Sequence, residues 1–234
     1  MRLLLISNST NAGEEYLQHP KAEIEGFLKG VKKALFFPYA AVTFSFNDYE
    51  KKVQQRFSEM GIEVDSLHHH RDVKRVIREA EAFVVGGGNT FRLLKMIQQL
   101  DIIETLRYRV LDGIPFVGWS AGANVACPTI CTTNDMPIVE PDNFSAFNLV
   151  RFQINPHYLD ANPDGHAGET REERIEEFIT MDPFSYVVGL REGSMLKVED
   201  GDISLLGNKT ARIFKYGMPP KEYSSNDDLD FLFD

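Results

Sequence analysis

Short apolar runs alternate with helical patterns along most of this chain, and that alternation restricts its fold more than any other feature. The runs are Leu3–Ile6, Ala34–Phe37, Glu63–Leu67, Ala82–Val85, Pro115–Gly118, Phe152–Ile154 and Tyr186–Leu190. Helical patterns lie near Lys21–Gly30, Asp48–Met60, Asp72–Glu79, Thr90–Leu100, Ile102–Asp112 and Glu169–Met181. Parallel strands need crossover helices, and strands covered on both faces read as unbroken apolar runs. The pattern therefore predicts an α/β fold with a mostly parallel sheet flanked by helices. After Leu190 it changes. Met195–Glu199, Ile203–Leu206 and Ala211–Lys215 are separated by Asp200-Gly201-Asp202 and Gly207-Asn208-Lys209. Those separators are turn chemistry and predict a small antiparallel meander. One domain over residues 1–216 and an acidic tail over 217–234 are expected.

Composition narrows the function classes. The net charge is −10, and half of it falls in Glu222–Asp234, which holds five acids and no Lys or Arg. Nucleic-acid binding needs Lys and Arg against phosphates, so a nucleic-acid partner is not expected. No apolar run approaches the roughly 20 residues of a membrane helix, and MRLLLISNST is too short for a signal peptide. The two cysteines, Cys127 and Cys131, make no disulfide framework and are read as buried, inert thiols. A cytoplasmic protein without membrane contact is the expectation, with homodimerisation left open. The tail is expected to be frayed or loosely docked, docking of Phe231, Leu232 and Phe233 in a groove being the alternative.

In open α/β sheets, sites form beyond the carboxyl ends of the strands. At those exits stand Ser7-Asn8-Ser9-Thr10, Gly86-Gly87-Gly88-Asn89, Trp119-Ser120-Ala121, Asn155-Pro156-His157 and Arg191-Glu192-Gly193. Gly118-Trp119-Ser120-Ala121-Gly122 matches G-x-S-x-G, in which a serine nucleophile sits on a sharp strand-to-helix turn. The Ala121 N–H then stabilises an oxyanion at a helix N-terminus. A serine needs a base. Of six histidines, His157 is best placed; His19 precedes Pro20, and His166 lies in a Gly-rich segment. His68–His70 read as a solvated loop, with no carboxylate or cysteine at ligand spacing, and no metal is expected. Asp135 gives a Ser…Asp…His order and Glu192 a Ser…His…Glu order; chain order leaves both open. Gly86–Gly88 lack the Walker lysine and the spaced dinucleotide glycines, which favours a second oxyanion donor at Gly88 over a phosphate cradle.

The blocks GWSAGANVACPT, TTNDMPIV, QINPHY, GHAGETREER and VVGGGNTF together resemble the α-aspartyl dipeptidase, or peptidase E, family. The resemblance runs from about Met1 to Lys215 and stops before the acidic tail. It implies a flavodoxin-like, class I glutamine-amidotransferase-like fold, and a serine peptidase that cleaves dipeptides with an N-terminal aspartate and uses no cofactor. Carried over, it implies Ser120 as nucleophile, His157 as base, Glu192 as third member, Gly88 and Ala121 as the oxyanion hole, and a part for Asp135 in activity. An aspartyl substrate brings a side-chain carboxylate, which an arginine fork binds bidentately; Arg171 is the candidate. The substrate ammonium needs an acid, for which Asp135 is available, and Asn89 and Thr133 are candidates for further hydrogen bonds. A cyanophycinase-like β-aspartyl peptidase and a non-catalytic anion-binding module are the alternatives.

Overall fold

A computed structural model describes residues 1–233 apart from 163, 164 and 166, so His166 lies outside the described residues. Strand β1 (Arg2–Ile6) leads to α1 (Lys21–Phe27), β2 (Lys33–Phe37), α2 (Phe46–Ser58), β3 (Glu63–Ser66), α3 (Val73–Glu79) and β4 (Phe83–Val85). Helices α4 (Thr90–Gln99) and α5 (Ile103–Leu111) follow, then β5 (Phe116–Trp119) and the short α6 (Ala121–Asn124). The remainder is β6 (Gln153–Pro156), α7 (Arg171–Met181), β7 (Tyr186–Leu190), β8 (Met195–Glu199), β9 (Asp202–Leu206), β10 (Ala211–Lys215) and β11 (Met218–Tyr223).

Seven strands form the main sheet in the order β3-β2-β4-β5-β1-β8-β9. The first five are parallel, and β8 and β9 add antiparallel at one edge. Alternate residues of each strand serve opposite faces, as the period of two requires. Leu3, Leu5, Leu35, Phe37, Phe83 and Val85 pack with α3, α4 and α5. Leu4, Ile6, Ala34, Phe36, Val84 and Trp119 pack with α1 and α2. Each buried leucine, isoleucine, valine or phenylalanine among them, removed from water, contributes about 1.5–3 kcal/mol, which is why both faces are covered.

The C-terminal strands are antiparallel as expected, but they divide between two sheets. After β9, the chain turns at Gly207, whose φ is +105° and where a Cβ would stand 2.4 Å from the Gly193 carbonyl. It then leaves the main sheet, and β10 joins a second one in the order β11-β10-β7-β6. In that sheet β6 and β7 are parallel. The expectation of a frayed tail is corrected. Strand β11 pairs with β10, Leu229 and Leu232 are buried, and Phe231 packs on Tyr186 and Tyr223. Apolar residues at the end of an acidic segment find a groove because leaving them in water costs more than ordering them. Among the described residues no helix is long and apolar enough to cross a membrane.

Candidate active site

The site lies where the carboxyl ends of β1, β4 and β5 in the main sheet meet those of β6 and β7 in the second. Ser120 follows β5 directly. Its φ of 54° and ψ of −115° place it on a sharp turn, and its N–H donates to the Ile6 carbonyl at 2.9 Å. Crowding explains the flanking glycines. A Cβ at Gly118 would lie 2.4 Å from the Gly122 carbonyl oxygen, and one at Gly122 only 2.1 Å from that of Val85. No side chain fits either position.

His157 follows β6 and also has a positive φ, 54°. Its Nε2 is 2.9 Å from Ser120 Oγ, and its Nδ1 is 2.7 Å from Glu192 Oε1. A carboxylate only accepts, so Nδ1 carries the proton and Nε2 offers its lone pair to the serine hydroxyl. Glu192, just beyond β7, is thus the partner of His157, and Asp135 is not. The strained backbone of His157 is held on both sides. Its N–H donates to Ser7 Oγ at 2.9 Å, and Ser7 Oγ donates to the Leu190 carbonyl at 2.7 Å. The next N–H, of Tyr158, also reaches Leu190 O, at 3.1 Å. On the other flank, Asn8 Oδ1 accepts from Gly193 N at 2.8 Å.

The loop after β4 lies against the serine, since a Cβ at Gly87 would meet Ser120 Cβ at 3.0 Å. Gly88 has φ +133°, and a Cβ there would come 2.3 Å from Ala40 O. Among the described residues, neither the Gly88 nor the Ala121 N–H has a hydrogen-bond partner. The peptide joining Gly87 to Gly88 is clamped: Tyr49 Oη donates to Gly87 O at 2.9 Å and accepts from Trp119 Nε1 at 3.1 Å. A trans peptide aims its C=O and N–H in opposite directions, so the clamp also fixes the Gly88 N–H. Burial pushes the Tyr49 hydroxyl up to about 12, which keeps it a neutral donor. Tyr49 escaped the sequence reading because an aromatic on the inner face of an amphipathic helix reads as core.

Asp135 Oδ2 accepts from Thr90 N at 2.7 Å, Thr90 Oγ1 at 2.6 Å and Thr133 Oγ1 at 3.2 Å. It sits at the N-terminus of α4, where a negative charge is favoured. Two further candidates stand beside it. Asn89 is the N-cap of α4, its Oδ1 accepting from Arg92 N at 3.0 Å and its Nδ2 donating to Met136 O at 2.8 Å, which leaves its amide NH2 and carbonyl both engaged. Thr133 Oγ1 is engaged by Thr90 Oγ1 and the Asp135 N–H. Both side chains help to build the loop. Arg171 opens α7 behind a capping box made by Thr170 and Glu173. Among the described residues it makes no ion pair, and with Asp135, Asn134, Asn155 and Arg174 it lines a cavity of about 220 Å³. Desolvation, then the neighbouring Arg174, lowers its pKa. Asn134 Nδ2 donates to Pro156 O at 2.6 Å and so links this cavity to the residue before His157.

The remaining candidates fall elsewhere. His68, His69 and Glu50 bring donor atoms within 4.8 Å of one another, so a carboxylate does stand near the histidine run. Each imidazole of the run is already paired, His68 with Ser66 and Asn47, His69 with Glu50 and His70 with Asp65. Cys127 is buried, and burial pushes its thiol up to about 12; Cys131 is exposed, which corrects the reading of two buried thiols.

A serine on a strained turn, an imidazole between it and a carboxylate, and two free N–H groups beside them, set on a class I glutamine-amidotransferase-like sheet, make the arrangement of a serine-type hydrolase. The chain belongs to peptidase family S51, whose model matches residues 3–206. It is 52% identical over 234 residues to a protein of Nostoc sp. named peptidase E, covering 100% of this chain and 97% of that one. A peptidase E of Salmonella typhimurium is 45% identical over 217 residues, covering 93% and 95%. Among solved structures, a peptidase from an acI-B1 actinobacterium superposes with a TM-score of 0.70 at 18% identity, covering 97% and 96%. A peptidase E protein of Listeria monocytogenes does so with 0.66 at 19%, covering 89% and 98%, and both share the fold.

Proposed function

We propose that this peptidase hydrolyses dipeptides whose first residue is aspartate, with Ser120, His157 and Glu192 as its catalytic triad. The observation that carries the reading is the continuous contact from Ser120 Oγ through the His157 ring to Glu192. Ser120 Oγ attacks the aspartyl carbonyl carbon as His157 Nε2 takes its proton. Glu192 holds the Nδ1 proton and stabilises the imidazolium that forms. The Gly88 and Ala121 N–H groups receive the negative oxygen of the tetrahedral intermediate. His157 returns its proton to the leaving amine, the C–N bond breaks, and an aspartyl ester remains on Ser120. Water, activated by the same imidazole, then releases aspartate.

The cavity lined by Arg171, Asp135 and Asn134, the last bonded to the carbonyl before His157, supports the specificity. Arg171 offers its guanidinium to the aspartyl side-chain carboxylate. Asp135 Oδ2 is taken up by Thr90 and Thr133, and its second oxygen serves the substrate ammonium. Two free thiols fit a reducing compartment, which favours the cytoplasm. The test is hydrolysis of Asp-Leu beside Ala-Leu, β-Asp-Leu and the Ser120→Ala variant. Cleavage of Asp-Leu alone, lost in the folded variant, is expected. Retention of more than about 1% of activity by Ser120→Ala removes the serine from the chemistry, because loss of a nucleophile costs several orders of magnitude. Preferential cleavage of β-Asp-Leu moves the specificity to β-aspartyl links.

A further inference from the structure

Arg191, the residue before Glu192, sits between two carboxylates. Its Nε donates to Asp160 Oδ2 at 2.9 Å, and Nη2 donates to Asp160 Oδ1. From the other side, Nη1 donates to Glu222 Oε2 at 2.8 Å and Nη2 to Glu222 Oε1 at 2.9 Å. Nη1 also reaches the carbonyl and hydroxyl of Thr210, each at 2.8 Å. The guanidinium lies 5.5 Å from the centre of the Tyr158 ring and is only 13% exposed. Asp160 is three residues beyond His157, and Tyr158 is next to it. The fork therefore ties the segment that carries the base to the segment that carries its carboxylate partner.

Glu222 seats that fork. It lies on β11 directly opposite Arg212, which adds a bond at 3.2 Å, and Thr210 Oγ1 donates to it as well. Strand β11 stands beyond the residues matched by the family model. Bidentate arginine–carboxylate pairs impose direction as well as attraction, and Arg191 makes two of them. A loop end such as that after β7 otherwise has freedom to drift, and small misplacements of a base are costly to catalysis.

We propose that Glu222 is a positioning residue for the triad: it orients Arg191, and Arg191 holds His157 and Glu192 at the separation their contact needs. The inference rests on the reading of Ser120, His157 and Glu192 as the triad. It is tested by steady-state kinetics on Asp-Leu with Glu222→Gln, Asp160→Asn, the double variant, Arg191→Lys and Lys221→Gln. Glu222→Gln lowers kcat roughly tenfold and moves KM less than about twofold. Asp160→Asn does the same, and the double variant loses less than the product of the two, because both act through one guanidinium. Lys221→Gln, on the same strand with an exposed side chain, leaves kcat unchanged. If Glu222→Gln does not fold, Arg191→Lys carries the test, since it keeps the charge and loses the fork; the same fall in kcat is expected. A kcat within twofold of wild type in either folded variant overturns the proposal, as does an equal loss in Lys221→Gln. An active Ser120→Ala overturns the triad reading instead, and wild-type protein that leaves Asp-Leu intact overturns the specificity, the same kinetics then being run on the dipeptide it does cleave.

Discussion

At the scale of single residues, the site is a set of commitments made by neighbours. Ser120 and His157 both hold positive φ, a costly conformation for residues other than glycine; the Ser120 N–H is pinned to the Ile6 carbonyl of β1 and the His157 N–H to the Ser7 hydroxyl. Arg171 is the contrast: a half-buried cation facing a cavity with no ion pair among the described residues. Arg171→Ala is expected to lower kcat/KM on Asp-Leu roughly a hundredfold, the worth of about 3 kcal/mol in charge-assisted bonds. Residual activity on neutral dipeptides should be nearly unchanged. An equal loss on both, measured side by side, would remove Arg171 from recognition. Ser120, His157 and Glu192, which the fold brings together, and Arg171, which it sets on a cavity, could be singled out because each stands at a strand exit or a helix start, places that pattern alone reveals. Asn89 shows what such a position leaves open: an asparagine before a helix reads as cap or ligand, and its bonds to Arg92 N and Met136 O show the cap. Tyr49, which acts through the carbonyl of a residue far away in the chain, left no local signal.

At the scale of elements, the parallel strands were readable because burial on both faces writes itself as an apolar run. The division of the C-terminal strands was not, since turn chemistry at Gly207 says that the chain reverses and nothing about which sheet it rejoins. Strand β11 was invisible for a sharper reason. It contains Pro219 and Pro220, shows no buried alternation, and exists as an edge strand, where prolines are tolerated. The element that unites the two sheets at the site is β1, through Ser7 at its end. Ser7→Ala leaves the half-buried His157 N–H without its acceptor, while Leu190 O keeps the bond from Tyr158 N. One unsatisfied group costs about 1–3 kcal/mol. Thermal unfolding should then move down by roughly 2–12 °C for a domain of this size. An unchanged Tm would mean that the bridge is energetically idle.

At the scale of the whole molecule, acidity and stability meet at the ion-pair network around Arg191. Hydrogen bonds from Arg191 hold the Glu222 carboxyl down at about 2, below its ordinary 4.5. A depressed carboxylate pKa stabilises the folded state fully above the unfolded value, and that contribution fades as pH falls toward the folded one. Glu222→Gln should therefore unfold at a lower temperature than wild type near neutral pH. The gap should narrow as pH drops below about 4.5, the reverse of what a purely steric defect would give. Melting curves of both proteins between pH 7 and pH 3 decide it.

The first strand also sets a timetable. In the finished sheet β1 lies between β5 and β8, with Leu3 opposite Phe116 on one side and Val198 on the other. Ribosomes deliver these partners in order, and β8 is complete only once Glu199 has emerged. At about 5–20 residues per second, β1 waits roughly 10–40 s for its second neighbour. For most of that interval His157 has yet to be made, so Ser7 Oγ lacks the N–H it accepts from in the finished fold. The strand made first is thus among the last to have both its neighbours, held along one edge only until β8 arrives.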